Sequence, residues 1–183
     1  VKSLSETVNW SSASILHGRF MVLNTPEPAL IDLQRADKKI RRQQLKQAID
    51  QNNLTSRPIL VPVRLPLSTA QIGQFQRYKT DLSAFGIEFE TDNETLTIKR
   101  IPFLLSQVSL PELVHRLATV LETENSDHAS LITDALMQLL PDNPVHTPEQ
   151  AKPIIECVLN NKIDKTDCYQ KLDPALLTGL FSS

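Results

Sequence analysis

The side chains most capable of catalysis or metal binding are few and scattered. The histidines are His17, His115, His128 and His146, with no pair spaced i, i+3 or i+4, and Cys157 and Cys168 have no histidine beside them. Zinc needs three or four converging nitrogen or sulfur ligands, so no metal ligands are expected, and two cysteines exclude a disulfide scaffold. There is no Gly-x-Ser-x-Gly elbow and no Walker sequence, and four glycines in the whole chain argue against a glycine-rich phosphate cradle. Glu88 and Glu90 fall on one face of a predicted strand, where a solvated face explains them better than an acid–base dyad. The expectation is no catalytic residue, no metal and no cofactor.

Charge is the concentrated signal. Residues 35–46 hold Arg35, Lys38, Lys39, Arg41, Arg42 and Lys46 against Asp37, while residues 109–142 hold Arg116 against Glu112, Glu122, Glu124, Asp127, Asp134 and Asp142. The blocks nearly cancel, leaving a net charge of −2. That balance excludes a dedicated nucleic-acid binder. Lys38, Lys39, Arg41 and Arg42 are candidates for weak, sequence-independent contact with DNA phosphate, a solvated helix face being the simpler reading.

The elements that carry these groups belong to a chain of 183 residues and 20.6 kDa, 40% hydrophobic and 22% charged, the balance of a soluble globular protein. No apolar run approaches the roughly 20 residues that span a bilayer. With Val1 in place of an initiator Met and no signal peptide, the chain reads as a fragment of a longer, cytoplasmic protein with no membrane partner. Residues 1–12 read as a linker end, ordered near Trp10. Ala13–Leu33 reads as a hairpin, with Phe20–Leu23 and Ala29–Leu33 flanking turn chemistry at Asn24–Pro28. Gln34–Asp50 lacks Gly and Pro and reads as a helix. Pro58–Leu65 reads as an edge strand, Ser68–Gln71 as a capping box opening a helix that buries Ile72, Phe75, Tyr78, Leu82 and Phe85, and Gly86 as its left-handed stop. Ile87–Glu90 and Leu96–Ile101 form a hairpin, and Ser109–Glu112 reads as a second capping box. Helices are expected up to Pro141, after Thr147 and after Asp173.

The first hairpin gathers Ile15, Leu16, Phe20 and Val22 with Met21 and Leu23. Two strands and a few helices make a thin layer, and a second copy of the chain is the simplest cover for it; C-terminal helices are the other. Ile15, Leu16, Phe20 and Val22 are the expected dimer contacts.

The whole chain resembles the C-terminal domain of MutL-type DNA mismatch-repair proteins, the gamma-proteobacterial kind above all. The residues that carry the likeness are Leu30-Ile31-Asp32-Leu33-Gln34-Arg35-Ala36, Arg57-Pro58-Ile59-Leu60-Val61-Pro62-Val63-Arg64-Leu65, Leu82-Ser83-Ala84-Phe85-Gly86-Ile87-Glu88-Phe89, Ile98-Lys99-Arg100-Ile101-Pro102 and Ser109-Leu110-Pro111-Glu112-Leu113, in that order. The resemblance implies an α+β fold of two small α/β subdomains: an inner dimerizing one from residues 13–55 plus 126–183, and an outer one from 56–125 inserted into it. It also implies a homodimer, joined in the full-length protein to an ATP-binding ATPase. The implied partners are MutS, a strand-nicking endonuclease, a helicase and a sliding clamp.

Family members that nick DNA with metal carry Asp-Gln-His-Ala, two residues, Glu, four residues and Glu at the start of the first helix. This chain has Leu33-Gln34-Arg35-Ala36, then Lys39 and Gln44 in the glutamate places, and it lacks the family's Cys-Pro-His-Gly-Arg-Pro segment. Cationic Arg35 and Lys39 repel divalent ions, so the resemblance implies a member without nicking activity. The clamp-docking pattern of the family, Gln, any residue, two aliphatics, any residue and Pro, falls on Arg57, Ile59, Leu60 and Pro62, with Arg57 in place of the glutamine. An unrecognised small α+β enzyme is the alternative function.

Overall fold

Two antiparallel sheets organise the molecule, and the computed structural model describes residues 8–24, 27–51, 53–123 and 127–179. In chain order the strands are β1 (Ser14–Leu16), β2 (Phe20–Leu23), β3 (Ala29–Asp32), β4 (Ser56–Pro58), β5 (Arg64–Pro66), β6 (Glu88–Thr91), β7 (Thr95–Pro102) and β8 (Tyr169–Lys171). The helices are α1 (Leu33–Asp50), α2 (Thr69–Arg77), α3 (Lys79–Ala84), α4 (Leu110–Leu121), α5 (His128–Leu139), α6 (Pro148–Leu159) and α7 (Pro174–Gly179). The chain is α+β, as its pattern implied. It divides into two compact units, one from the stretches 1–43 and 142–183, the other from 44–141.

In the first unit the sheet runs β1-β2-β3-β8. The β1–β2 turn is tight: His17 and Gly18 both take left-handed backbone, at φ 54° and 63°, and the Arg19 amide donates to the Leu16 carbonyl at 3.1 Å. Only a glycine holds that conformation without strain, which explains Gly18. Of the turn expected at 24–28, Thr25 and Pro26 lie outside the described residues. One face of this sheet packs Met21, Leu23 and Ile31 against Ala36, Ile154, Ile155 and Val158. The Thr147 hydroxyl and the Gln150 side chain cap α6 reciprocally, as the sequence suggested. That helix runs through Pro153, whose missing amide did not stop it.

In the second unit β7 is the spine. Arg100 pairs with Glu88 of β6 and with Pro58 of β4, and Leu96 pairs with Thr91 of β6 and with Leu65 of β5. A strand has two edges, so β4 and β5 share the edge of β7 opposite β6. The core joins Phe75, Leu82, Phe89, Ile98, Leu113 and Leu117 with Ile132 and Leu136 of α5.

Four sequence expectations change. The strand proposed over 58–65 is two short strands: pairing continues to Ile59, whose amide donates to Lys99, and then residues 60–63 leave the sheet, since Pro62 cannot donate to a ladder. The helix from Ser68 is two helices that break at Tyr78, and Gly86 closes the second at φ 71°. Ser109 makes no side-chain cap bond; Pro111 instead removes one of the amides that would need a cap. Strand β8 was not anticipated, being short and exposed along most of its length. The compact units meet at 43/44 and 141/142, and α5 packs into the core of the second. Among the described residues no helix is long and apolar enough to cross a membrane.

Candidate functional site

Directly opposed residues of an antiparallel pair share a face, so strand register assigns each side chain of the first sheet. Leu16 opposes Phe20 and Ser14 opposes Val22; on the next strand Phe20 opposes Asp32 and Val22 opposes Leu30. Leu30 in turn opposes Gln170. One face therefore presents Leu16, Phe20, Val22 and Leu30, edged by Ser14, Asp32 and Gln170. Leu16 is 48% exposed, and Phe20, Val22 and Leu30 are half-buried in the single chain. Ile15 does not belong with them. It opposes Met21, which opposes Ile31, and it packs on the core side. Three of the four expected dimer contacts share the outer face; Ile15 is corrected to the inner one. Leu30 was missed, although its alternation with buried Ile31 is the signal that assigns it.

An ion network borders this face. Asp32 Oδ2 accepts from Arg19 at 2.6 and 3.1 Å, and Asp32 Oδ1 accepts from the backbone amide of Arg35 at 3.1 Å, an N-terminal cap on α1. The Arg35 side chain approaches Asp32 at 3.5 Å and donates to the Asp167 carbonyl at 3.1 Å. Burial disfavours the charge of Asp32, yet the hydrogen bond from Arg19 and the contacts of Arg35 outweigh it and hold the carboxyl below its usual range. The Arg19 guanidinium also stacks on the Phe20 ring, 4.8 Å from its centroid. A cleft of about 370 Å³ opens here, between Phe20, Leu30 and Tyr169 and the charges of Arg19, Asp32 and Arg35.

The basic run of α1 does not form one solvent-facing patch. Lys38 pairs with Asp142 at 2.6 Å, Arg41 with Asp37 at 2.8 Å, and Lys39 with Asp167 at 3.0 Å. Arg42 is exposed. The expectation that all four side chains point to solvent is corrected: their partners include tail aspartates, which the sequence offered only as a scatter of acids. Burial raises the Asp37 carboxyl above its ordinary value, against the pull of Arg41.

In the second unit the clamp-like residues separate. Arg57 donates to the Ser106 carbonyl at 2.8 Å, and Ile59 packs against its own core. Leu60 is 88% exposed and Pro62 is exposed, while Val61, absent from the expected set, is 76% exposed. Among the described residues no group of three or more His, Cys, Asp or Glu side chains converges as metal ligands would.

Sequence comparison places these features in a family. The family described as the MutL C terminal dimerisation domain matches residues 13–141. The DNA mismatch repair protein MutL of Citrobacter koseri is 29% identical over 123 residues, 67% of this chain and 20% of that protein. Its counterpart in Proteus mirabilis is 30% identical over 135 residues, 68% of this chain and 20% of that protein, and the one in Aeromonas salmonicida is 26% identical over 138 residues, covering 74% and 22%. The chain thus spans about a fifth of the length of the relatives it matches. It belongs to the MutL C-terminal dimerisation domain family of DNA mismatch-repair proteins.

Proposed function

We propose that this chain is the homodimerizing and partner-docking module of a MutL-type protein, and that it has no nicking activity of its own. The observation that carries the reading is the apolar sheet face of Leu16, Phe20, Val22 and Leu30, which a single copy of the chain leaves half-covered. A two-fold pairing of such faces is self-complementary. A stable interface of this kind buries at least ~2,000 Å² in total. The residues 13–55 and 126–183 are the proposed dimerizing part and 56–125 the outer part, with MutS, an endonuclease and a helicase as partners of the assembled protein and ATP binding supplied elsewhere in the longer chain.

Lack of nicking rests on Arg35 and Lys39. Both cations stand where nicking relatives need ligands, and both are engaged by Asp32, Asp164 and Asp167. Clamp docking through this chain uses Leu60 and Pro62, with Ile59 and Arg57 holding the loop from behind. DNA contact through α1 is weak, at ~10⁻⁵ M or poorer at physiological salt, because most of its cations already have internal partners. The test is sedimentation of the 183-residue chain at micromolar concentration, with supercoiled plasmid and manganese as the companion assay. A dimer that leaves the plasmid intact is expected; a monomer or reproducible relaxation contradicts the reading.

A further inference from the structure

The apolar face of the first sheet runs on into the stretch after β8. Lys171 opposes Ala29, and the Leu172 amide donates to the Pro28 carbonyl at 2.8 Å, so Leu172 takes the next register position, opposite Pro28. Its side chain therefore shares the face of Leu30 and Gln170. Helix α7 follows at once. None of its residues is buried, although Ala175, Leu176 and Leu177 are apolar and none of the helix is charged. We propose that Leu172 and α7 form a second contact of the dimer, α7 of each copy resting on the sheet face of the other. This rests on the dimer reading above and extends its contact from the sheet to the stretch 172–179.

A helix as short as α7 is not stable in water by itself; packing of an apolar side supplies most helical stability. Within its own chain α7 is held by its cap. Asp173 Oδ1 accepts from the Leu176 amide at 2.7 Å, and the Asp173 carbonyl accepts from the Leu177 amide at 3.1 Å. What it lacks is an apolar cover. The sheet in turn lacks area. Four strands ~4.8 Å apart, with ~3.3 Å per residue over about four residues, give a footprint of about 250 Å² a copy. Two copies, doubled again for the relief of the side chains, reach about 1,000 Å², half of what a stable interface of this kind buries. The uncovered side chains point the same way. Among the described residues of the first unit, Leu16 at 48% and Leu177 at 42% are the large apolar side chains left exposed. Leu16 lies on β1 and Leu177 beyond β8, at opposite edges of the sheet, so one copy cannot bring them together. A two-fold pairing sets each patch against its counterpart twice, as self-complementary contacts do. The helix has no charge to desolvate, and Lys171 just before it is already paired with Glu27 at 2.7 Å.

Sedimentation equilibrium of the 183-residue chain compares the parent with Leu177→Lys and with Leu60→Lys, the second changing an exposed leucine of the other unit. Because Leu177 is exposed and α7 buries no residue, the variant monomer stays folded. Leu177→Lys is expected to weaken association at least ~10-fold, and Leu60→Lys to leave it unchanged. Contact is read directly in mixed dimers. Isotope-labelled parent is combined with unlabelled chain carrying Cys157→Ser and a nitroxide on Gly179→Cys, where an added side chain meets nothing within 4 Å. Cys168 is buried and stays free of the label. The amides of Leu16, Phe20 and Val22 in the isotope-labelled copy are expected to broaden. A dimer in which Leu177→Lys associates as tightly as the parent, or in which no amide of the first sheet broadens, overturns the proposal and leaves the sheet face standing as the contact. A parent that sediments as a monomer at micromolar concentration overturns the dimer reading itself, and this inference with it.

Discussion

Each unit of the chain has a four-stranded antiparallel sheet with one face on its own core, and the two differ in what the other face carries. On the second sheet the outward residues are Glu88, Glu90, Thr97 and Lys99, with Lys99 paired to Glu90 at 2.8 Å and Arg100 near Glu88 at 3.7 Å. Water covers such a face without cost. On the first sheet the corresponding residues are Leu16, Phe20, Val22 and Leu30. Both sheets follow the period-two rule that buries alternate residues. Strand pattern alone makes a sheet; the chemistry of the unburied half decides whether it ends at solvent or at another protein. A contiguous apolar face bordered by charges is the signature of association.

The comparison breaks most sharply by placing a charge on each face in turn. Phe20→Glu is expected to weaken self-association by more than ~30-fold, the effect of losing a central apolar anchor, while the monomer stays folded. Thr97→Glu, on the polar face, leaves both mass and midpoint unchanged. Equilibrium sedimentation and circular dichroism check the pair. Next in size, Leu113→Ala empties a fully buried position of the second core and costs about 2–5 kcal/mol in denaturant unfolding. Because that core lies within 44–141, the association constant is expected to hold even as stability falls.

Asp32→Asn removes the charge that Arg19 and Arg35 share and costs about 2–3 kcal/mol at neutral pH, less than a fully buried pair because both arginines keep contact with water. Its sign with pH follows from the depressed carboxyl. Stability from Asp32 is complete above the unfolded value near 3.8 and is lost as pH falls through the lower folded value. Acid unfolding of the parent is thus steeper than that of Asp32→Asn. Asp37 runs the other way: its raised carboxyl favours the protonated fold, so its contribution grows as pH falls through its folded value. The smallest effect belongs to Lys99→Ala, which removes an exposed ion pair and shifts stability by less than about 1 kcal/mol.

Much of this contrast was legible in the sequence. The alternation of Phe89 and Ile98 with glutamate, threonine and lysine gave the second hairpin and its polar side, and the crowding of Leu16, Phe20 and Val22 pointed to a sheet needing cover. Ile15 was misplaced because the face of a three-residue strand depends on register with β2, which the left-handed turn at His17 and Gly18 sets. The ion network was illegible for a different reason. Asp32, Asp142 and Asp167 lie far apart in sequence, and the pairing of β8 with β3 is what brings Asp167 beside α1. For the same reason the cations of α1 read as a surface patch when they fasten the tail. The strand at 58–65 failed locally, since two prolines let pairing stop after Ile59 and left Leu60 and Val61 outside.

The central claim is that the apolar face of the first sheet joins two copies of the chain. Sedimentation equilibrium of the parent and Phe20→Glu, both at micromolar concentration, tests it most directly. The account predicts twice the 20.6 kDa chain mass for the parent and a folded monomer of 20.6 kDa for the variant. A parent that sediments as a monomer, or a variant that remains as firmly dimeric as the parent, contradicts it.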